Sequence, residues 1–581
     1  MTQVNVAPNP NVPDAYVQTQ APQTPAIQGV QTNLISLVGT ATWGPVNAFA
    51  PFSNNSSYAA QYGAVQARKY DMGTPAAIAI MQGAVNFLGV RVTDGTDVAA
   101  SVVLGLQGVP TVQSGGSGYA VNDTITLSNG AVLRVLTLST SAVATVQVQT
   151  QPTSQPSNPV AQTSTSGSGT GATFNFTYSN GLTVTSKYTG SGANADTVTI
   201  AAGSAANSTR AVVQRPGMVP EVFDNILGSG NALWLAIAAA INNGISGLRG
   251  PSNFVVASAG AASVAPTNGS YQLTGGTDGA SGVTATTLLG TDGVTRTGMY
   301  ALRRTGPGIL VPADCDTSST WSTVDAFCKS EGYYGIVVGP SGEYTAPATV
   351  ASNKASAGID DPSIKVMVGD WINWLDTFNG GIQRLVSPQG FEAGKLASLG
   401  PQQSSLNNSM VGIISTQKTE TNTTYGQAEL SIFGQAGLEL ITNPSPGGNY
   451  FSARFGQNSS SNDAIDGDNY SRMVPFLEYS LTGVAGQAVG QVDTVDLQTD
   501  LLAAVDAFLY SLWKAKPAVI SNPQGTQPYS AAFPPDQNPP NLAALGYLVL
   551  VCKIQLGPIV RLFIINVEAG QTVTVSSQLA S

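Results

Sequence analysis

The segment GILVPADCDTSSTWSTVDAFCKSEGYYGIVVGP, residues 308–340, sets two short apolar blocks on either side of a helical stretch. GILVP (308–312) reads as a buried strand, and GYYGIVVGP (332–340) reads as the next one. Between them Ser322 or Thr323 is expected to cap a helix that runs through Cys328. Such a unit favours a parallel pair joined by a right-handed crossover. A further apolar strand, IKVMVGDW (364–371), follows closely, so this part of the chain is expected to be α/β.

The same alternation extends upstream. NLISLVGTATWGP (33–45) contains a mostly apolar block, Leu34 to Val38, closed by a Gly/Pro turn. PAAIAIMQGAVNFL (75–88) has apolar residues at helical spacing, with Gly89 as the expected C-cap and GVRVTDG as strand and turn. A helix from about Asn231 to Asn243 precedes a β-rich stretch that ends in the turn GGTDGASG (275–282).

Residues 103–181 differ from their surroundings. GGSGYAVNDTITLSNGAVLRVLTLSTSAVATVQVQT reads as strand–turn–strand with Asn129-Gly130 as a hairpin signal. Asp123 and Arg134 are its only charges. The strands VAASVVL before it and GLTVTSKY after it look like neighbours in one interrupted unit, so the block is expected to be an inserted all-β module.

The last third holds one clear amphipathic helix, DTVDLQTDLLAAVDAFLYSLWKAKP (493–517). Leu497, Leu501, Val505, Phe508, Leu509 and Leu512 share one face, and Asp496, Asp500 and Asp506 the other. Lys514 and Lys516 sit at its C-terminal end, where the helix dipole favours cations, and Pro517 stops it. Two expected strands, GYLVLVCKIQL (546–556) and IVRLFIINVE (559–568), precede a closing alternation, Thr572-Val573-Thr574-Val575. At the other end, residues 1–30 hold five prolines and little to bury, with AYVQTQ (15–20) as the one strand-like piece.

Composition narrows the function classes. A chain of 581 residues is too long for one core. Charged residues make up 10% of it, well below the usual share of about a quarter, so copies would repel each other little on packing. A net charge of −10 and the lack of a basic run argue against nucleic acid as a partner. The absence of histidine removes Ser-His-Asp and Cys-His catalysis and histidine metal ligands. Cys315, Cys328 and Cys552 lack metal or disulfide spacing. The N-terminus lacks the pattern of a secretory signal, and the longest apolar run, Ala232 to Ile241, is about half of a membrane span, so direct membrane insertion is not expected.

Candidate chemical sites are few. Gly394-Lys395 lacks the remainder of a phosphate loop, and Gly167, Gly169 and Gly171 lie in a Ser/Thr-rich linker. Asp360, Asp361 and Asp370 would suit paired glycosidase carboxylates, although a turn acid pair before Pro362 is the simpler reading. Asp463, Asp466 and Asp468 resemble a loose cation loop without the closing Glu of an EF-hand, which leaves a solvated loop as the default. Tyr119 in GGSGY is either a sugar contact or an aromatic closing a turn. No catalytic residue, cofactor or metal is expected, and an enzyme is not.

Several phrases, taken in order, resemble one family: the tail sheath proteins of contractile-tailed bacteriophages. The opening is similar through Gly29-Val30, Thr32, Val38-Gly39, Ala41 and Gly44-Pro45. LTVTSKYTGSGANADTVTI (182–200) resembles a family strand pair through Lys187, Tyr188 and Gly190. LVSPQGFEAGKLA (385–397) matches through Ser387-Pro388, Gly390 and Ala393-Gly394. ELITNPSPGGNYFSARFGQN (439–458) carries Phe455 where the family has Trp, and NYSRMVPFLEYSL (469–481) contributes Arg472 and Glu478.

The resemblance implies a multidomain α+β and α/β fold, a mixed-sheet sheath core with extended arms; the inserted all-β module, read from the residues themselves, departs from the family pattern. The implied divisions are an N-terminal arm (1–30), a first part of the core (31–102), the insertion (103–181), an outer β-rich domain (182–282), a central α/β domain (283–390), an inner tube-facing α/β domain (391–567) and a C-terminal arm (568–581). It implies a helical homopolymer around a tail tube protein, bounded by baseplate and tail terminator proteins, in a virion tail made in the host cytoplasm. Arm strands at Tyr16, Val17 and Gln18 and at Val573, Thr574 and Val575 would pair with neighbouring subunits, because an edge strand without an internal partner recruits one from another chain. The 493–516 helix, with Asp496, Asp500, Asp506, Lys514 and Lys516, is the candidate tube-facing element; a plain core helix is the other reading of its apolar face. The alternative is a β-rich adhesin or receptor-binding virion protein with 103–181 as a glycan-binding module. A glycosidase is a third.

Overall fold

The computed structural model describes residues 27–565 and 567. The arm positions Tyr16, Val17, Gln18, Val573, Thr574 and Val575 lie outside the described residues. The chain divides into two compact units, one of residues 33–398 and 405–461, the other including 399–404 and everything described from 462 onward, with 27–32. Residues 391–398 and 405–461 therefore belong to the large α/β unit, not to the unit that includes the residues described from 462 onward.

The first unit is built on a seven-stranded sheet in the order Phe49–Phe52, Phe87–Arg91, Ile35–Gly39, Gly308–Pro312, Tyr333–Val338, Ile364–Met367, Leu438–Glu439. Every neighbouring pair is parallel except Phe49–Phe52, which runs antiparallel on Phe87–Arg91. Strands such as Ile35–Gly39 and Gly308–Pro312 are buried along their whole length, as expected of a parallel sheet covered on both faces. Alternate residues feed two cores: Leu37, Val311 and Ile336 face one, and Val38, Leu310 and Val337 face the other.

The strand–helix–strand unit forms as the sequence predicts, with one shift. The helix is Trp321–Glu331, with Thr320 at its N-cap, rather than a helix opened by Ser322 or Thr323. A 3₁₀ turn at Ser318–Thr320 leads directly into it and lets Trp321 enter the core at 1% exposure. Gly332, at φ 70°, ends it and donates its N–H to Cys328 O.

A second expectation is corrected. The helix expected over 75–88 is Gly73–Met81, and Phe87–Arg91 is a strand. Apolar residues in this stretch satisfy either period, and the slot between Ile35–Gly39 and Phe49–Phe52 decides for the strand. Gly89 is thus no C-cap. It sits mid-strand opposite Leu37, where a Cβ would fall 2.7 Å from the Tyr62 ring.

Gln107–Ser179 contains a six-stranded antiparallel sheet with its own core, which includes Ile125, Leu133, Phe174 and Phe176. Its flanking strands Ser101–Leu104 and Leu182–Ser186 pair with each other, Leu104 opposite Leu182. A four-stranded and a three-stranded sheet with the helix Gly230–Asn243 share a further core around Trp234 and Phe223.

The second unit packs the helices Asp468–Ala488 and Val495–Lys514 together, with Phe476 and Phe508 ring centroids 6.2 Å apart. The two-stranded sheet Tyr529–Ala532 and Val551–Ile554 belongs to the same core. Of the two strands expected here, the first is realised only as Val551–Ile554. The second is not formed: the described residues from Gln555 onward have no strand partner, and Val560, Leu562, Phe563, Ile564 and Ile565 stand exposed.

Candidate assembly site

The two-stranded sheet of the second unit is antiparallel, with Tyr529 opposite Ile554 and Ala531 opposite Cys552. Among the described residues neither strand has another strand beside it. In an antiparallel pair half of each strand's N–H and C=O groups point outward, so both edges offer backbone donors and acceptors to an added strand.

A groove of about 550 Å3, with an apolar stripe and with Glu478 and Gln555 also in its lining, runs alongside. One wall is the helix Asp468–Ala488, through Tyr470, Val474, Leu477 and Leu481, a spacing that keeps one stripe on one face. The other wall is the strand, through Cys552 and Ile554, continued by Leu556. Because Cys552 and Ile554 are two apart, they lie on the same face of the strand, the face turned to the core. A strand laid along this edge would place every second side chain over the helical stripe. The start of the described chain also lies on this unit: Val30 N donates to Ser480 Oγ at 3.1 Å, and Ile27 and Val30 pack on the same core.

The 493–516 helix is observed as Val495–Lys514, with Thr494 accepting from Leu497 N. Leu501, Val505, Phe508 and Leu509 are buried in this unit's core, so the apolar face is a packing face. Asp496, Asp500, Asp506, Lys514 and Lys516 are exposed. Asp506 accepts from Tyr529 Oη at 3.0 Å, and the Lys514 ammonium lies over the Trp513 ring.

The acidic candidates are not brought together. Asp466 pairs with Arg561 at 2.5 Å, and Asp468, fully buried, accepts from Ser404 Oγ at 2.9 Å. Asp360 accepts from Ser461 at 2.7 Å, Asp361 pairs with Lys329 at 2.5 Å, and Asp370 accepts from Tyr425 Oη at 2.8 Å. Among the described residues no group of three or more Cys, Asp or Glu is arranged to hold a metal ion. Tyr119 is 5% exposed, in the core of the inserted sheet, with its hydroxyl bonded to Gln162 and accepting from Ala172 N. It presents no face to a sugar. No described helix is long and apolar enough to cross a membrane.

The sequence reading missed the groove, whose walls lie some eighty residues apart.

The chain is thus a multidomain α+β protein with a mixed-sheet core in its larger unit. No protein-family model matches the chain, and no curated protein matches its sequence. Solved structures match throughout most of its length. A sheath tail protein from Listeria innocua is 13% identical, with a TM-score of 0.53 over 88% of this chain and 91% of its own. A sheath tail protein from Desulfitobacterium hafniense is 14% identical, with a TM-score of 0.50 over 89% of this chain and 93% of its own. At such identities the likeness is one of fold.

Proposed function

We propose that this chain is the repeating subunit of a contractile tail sheath: it polymerises helically around a tail tube and shortens to drive the tube through a host envelope. The observation that carries the reading is the two-edged strand pair beside this groove, on a chain whose fold is that of sheath tail proteins. The arms at residues 16–18 and 573–575, with the exposed run 560–565, would supply strands to neighbouring copies. A head-to-tail contact that does not close on itself propagates as a helix. A strand of four to six residues makes several backbone hydrogen bonds, each contributing about 0.5–1.5 kcal/mol net. Links at both ends of every subunit would hold neighbours while rigid bodies rearrange.

In this reading contraction consumes no nucleotide or cofactor and needs no catalytic residue, because the energy is stored at assembly. The partners are further copies of the chain, the tube, a baseplate and a terminator, within a virion tail. The 493–516 helix would turn its exposed Asp496, Asp500 and Asp506 toward the tube, and the 103–181 block would lie on the outside of the sleeve, where it meets no tube. Electron microscopy of the purified full-length protein tests the proposal. Striated hollow sleeves are expected; a preparation of dispersed monomers under all assembly conditions would sink it.

A further inference from the structure

Two mainly apolar segments, 551–556 (interrupted by Lys553 and Gln555) and 559–565 (interrupted by Arg561), flank Gly557-Pro558. A Gly-Pro pair marks a turn, at which two strand-like segments could fold back on each other. Folding back in that way would cover the open edge of Val551–Ile554 with the chain's own next segment. It would also turn alternate members of Leu562, Phe563, Ile564 and Ile565, which are at least 70% exposed, onto the core face.

The hairpin is not formed, and the reason is visible in the side chains around it. Gly557 O accepts from Asn469 Nδ2 at 2.9 Å. A Cβ at Gly557 would lie 2.5 Å from Ser521 Oγ, so the chain is held close there. Four residues on, Arg561 Nη1 meets Asp466 Oδ2 at 2.5 Å. Asp466 and Asn469 belong to the acidic stretch NDAIDGDN, for which the sequence gives a solvated loop as the default reading over a loose cation loop; the charge that meets Asp466 is the chain's own guanidinium. The residues lining the recess around this pair, Asp463, Asp466, Asn469, Tyr470, Pro558 and Arg561, come from the loop before the helix Asp468–Ala488, from its first turn and from the segment after the strand.

We infer that Arg561–Asp466 and Asn469–Gly557 form a latch that prevents the C-terminal segment from pairing with its own strand Val551–Ile554, so that edge and segment both stay available to other copies. Apolar burial favours the closed hairpin, and the latch opposes it by holding residues 557–561 against the start of the helix. A subunit without the latch would satisfy its own edge and have nothing to exchange. Arg561 and Asp466 are positioning residues in this scheme; neither needs to touch a neighbour. The inference rests on the strand-exchange reading proposed above.

The test uses full-length protein with Arg561→Ala, Asp466→Asn and the charge swap Asp466→Arg with Arg561→Asp. Each single variant is expected to accumulate as soluble monomer under conditions where the wild type forms sleeves. In those monomers the backbone amides of 551–554 should exchange more slowly than in wild-type monomer, the mark of a closed hairpin that mere misfolding would not produce. The swap should restore sleeves and fast exchange. Single variants that polymerise like the wild type, or that fail to polymerise without slower exchange at 551–554, would overturn the latch. Failure of the wild type to form sleeves would count against the sheath reading instead, while the exchange comparison between monomers would still decide the latch.

Discussion

Lys365 Nζ meets Glu392 Oε1 at 2.5 Å with both side chains fully shielded from solvent. Glu439 Oε2 lies 3.5 Å from the same ammonium and is equally buried. Glu439 also accepts the backbone N–H groups of Arg454, Phe455 and Gly456, so one strand end, one helix and one loop converge on a single cation. Removing the cation leaves two buried carboxylates. Lys365→Met is expected to destabilise the large unit by about 3–5 kcal/mol, read as a lower denaturation midpoint, because breaking a buried pair costs far more than the pair itself contributes. Adding Glu392→Leu should recover part of the loss.

Asp71 supplies a pH signature. Burial, the largest influence, pushes its carboxyl up to about 7, against the opposing pull of Arg68. A carboxyl whose folded value is raised holds its proton longer when folded than when unfolded, so its contribution is fully present below its ordinary value and is lost as pH rises through about 7. Stability of the large unit should therefore fall between pH ~4 and ~7 through this group. Asp71→Asn is expected to remove that slope and to stabilise the protein at pH 8 while changing little at pH 4. Thermal unfolding across pH checks this; parallel profiles for the two proteins would refute it.

Gly394 marks a helix crossing. A Cβ there would fall 2.5 Å from Ala79 Cα, which places the backbones of Gln389–Ser398 and Gly73–Met81 in direct contact. Gly394→Val should cost about 1–3 kcal/mol through overpacking. The measurement is a shift in unfolding midpoint at unchanged denaturant slope.

The exposed C-terminal run should matter for assembly and not for folding. Truncation after Gly557 removes Val560 and Leu562 to Ile565, whose side chains are largely solvated, together with the Arg561–Asp466 pair, so the stability of the soluble subunit should change only by the amount of a surface ion pair, about 0.5–1 kcal/mol. Sleeve formation should be abolished. Leu481→Lys, which sets a charge in the groove, is expected to leave the monomer folded and to impair assembly in the same assay.

The inserted sheet offers a topographic test. If 103–181 faces outward on the sleeve, protease should cut assembled sleeves within the segment 151–170 while the large sheet stays intact, and complete resistance of that segment would contradict an outward position.

Local pattern in the sequence was enough for the strand at 308–312, the helix after it and the strand from Tyr333, because each satisfies a single period and is bounded by Gly or Pro. It was enough too for the helix Val495–Lys514, where the apolar stripe, the acids at the start and the lysines at the end agree. It failed at Phe87 and Leu88, given to the helix although the strand expected after them begins there, because these residues suit two periods and only the slot between two other strands chooses between them. The same holds at 559–565: an apolar run reads as a strand, but a strand exists only where something pairs with it, and Asp466 and Asn469 hold this one away from its nearest edge.

What the amino-acid order determined unaided is therefore the set of segments and their character, since helix and strand periods, caps and turns are encoded within a few neighbouring residues. Which segments meet was decided by tertiary structure alone. The groove between Leu477 and Ile554, the burial of Lys365 between two glutamates and the engagement of Arg561 all join residues far apart in the chain, and their geometry comes into being only once the cores have packed.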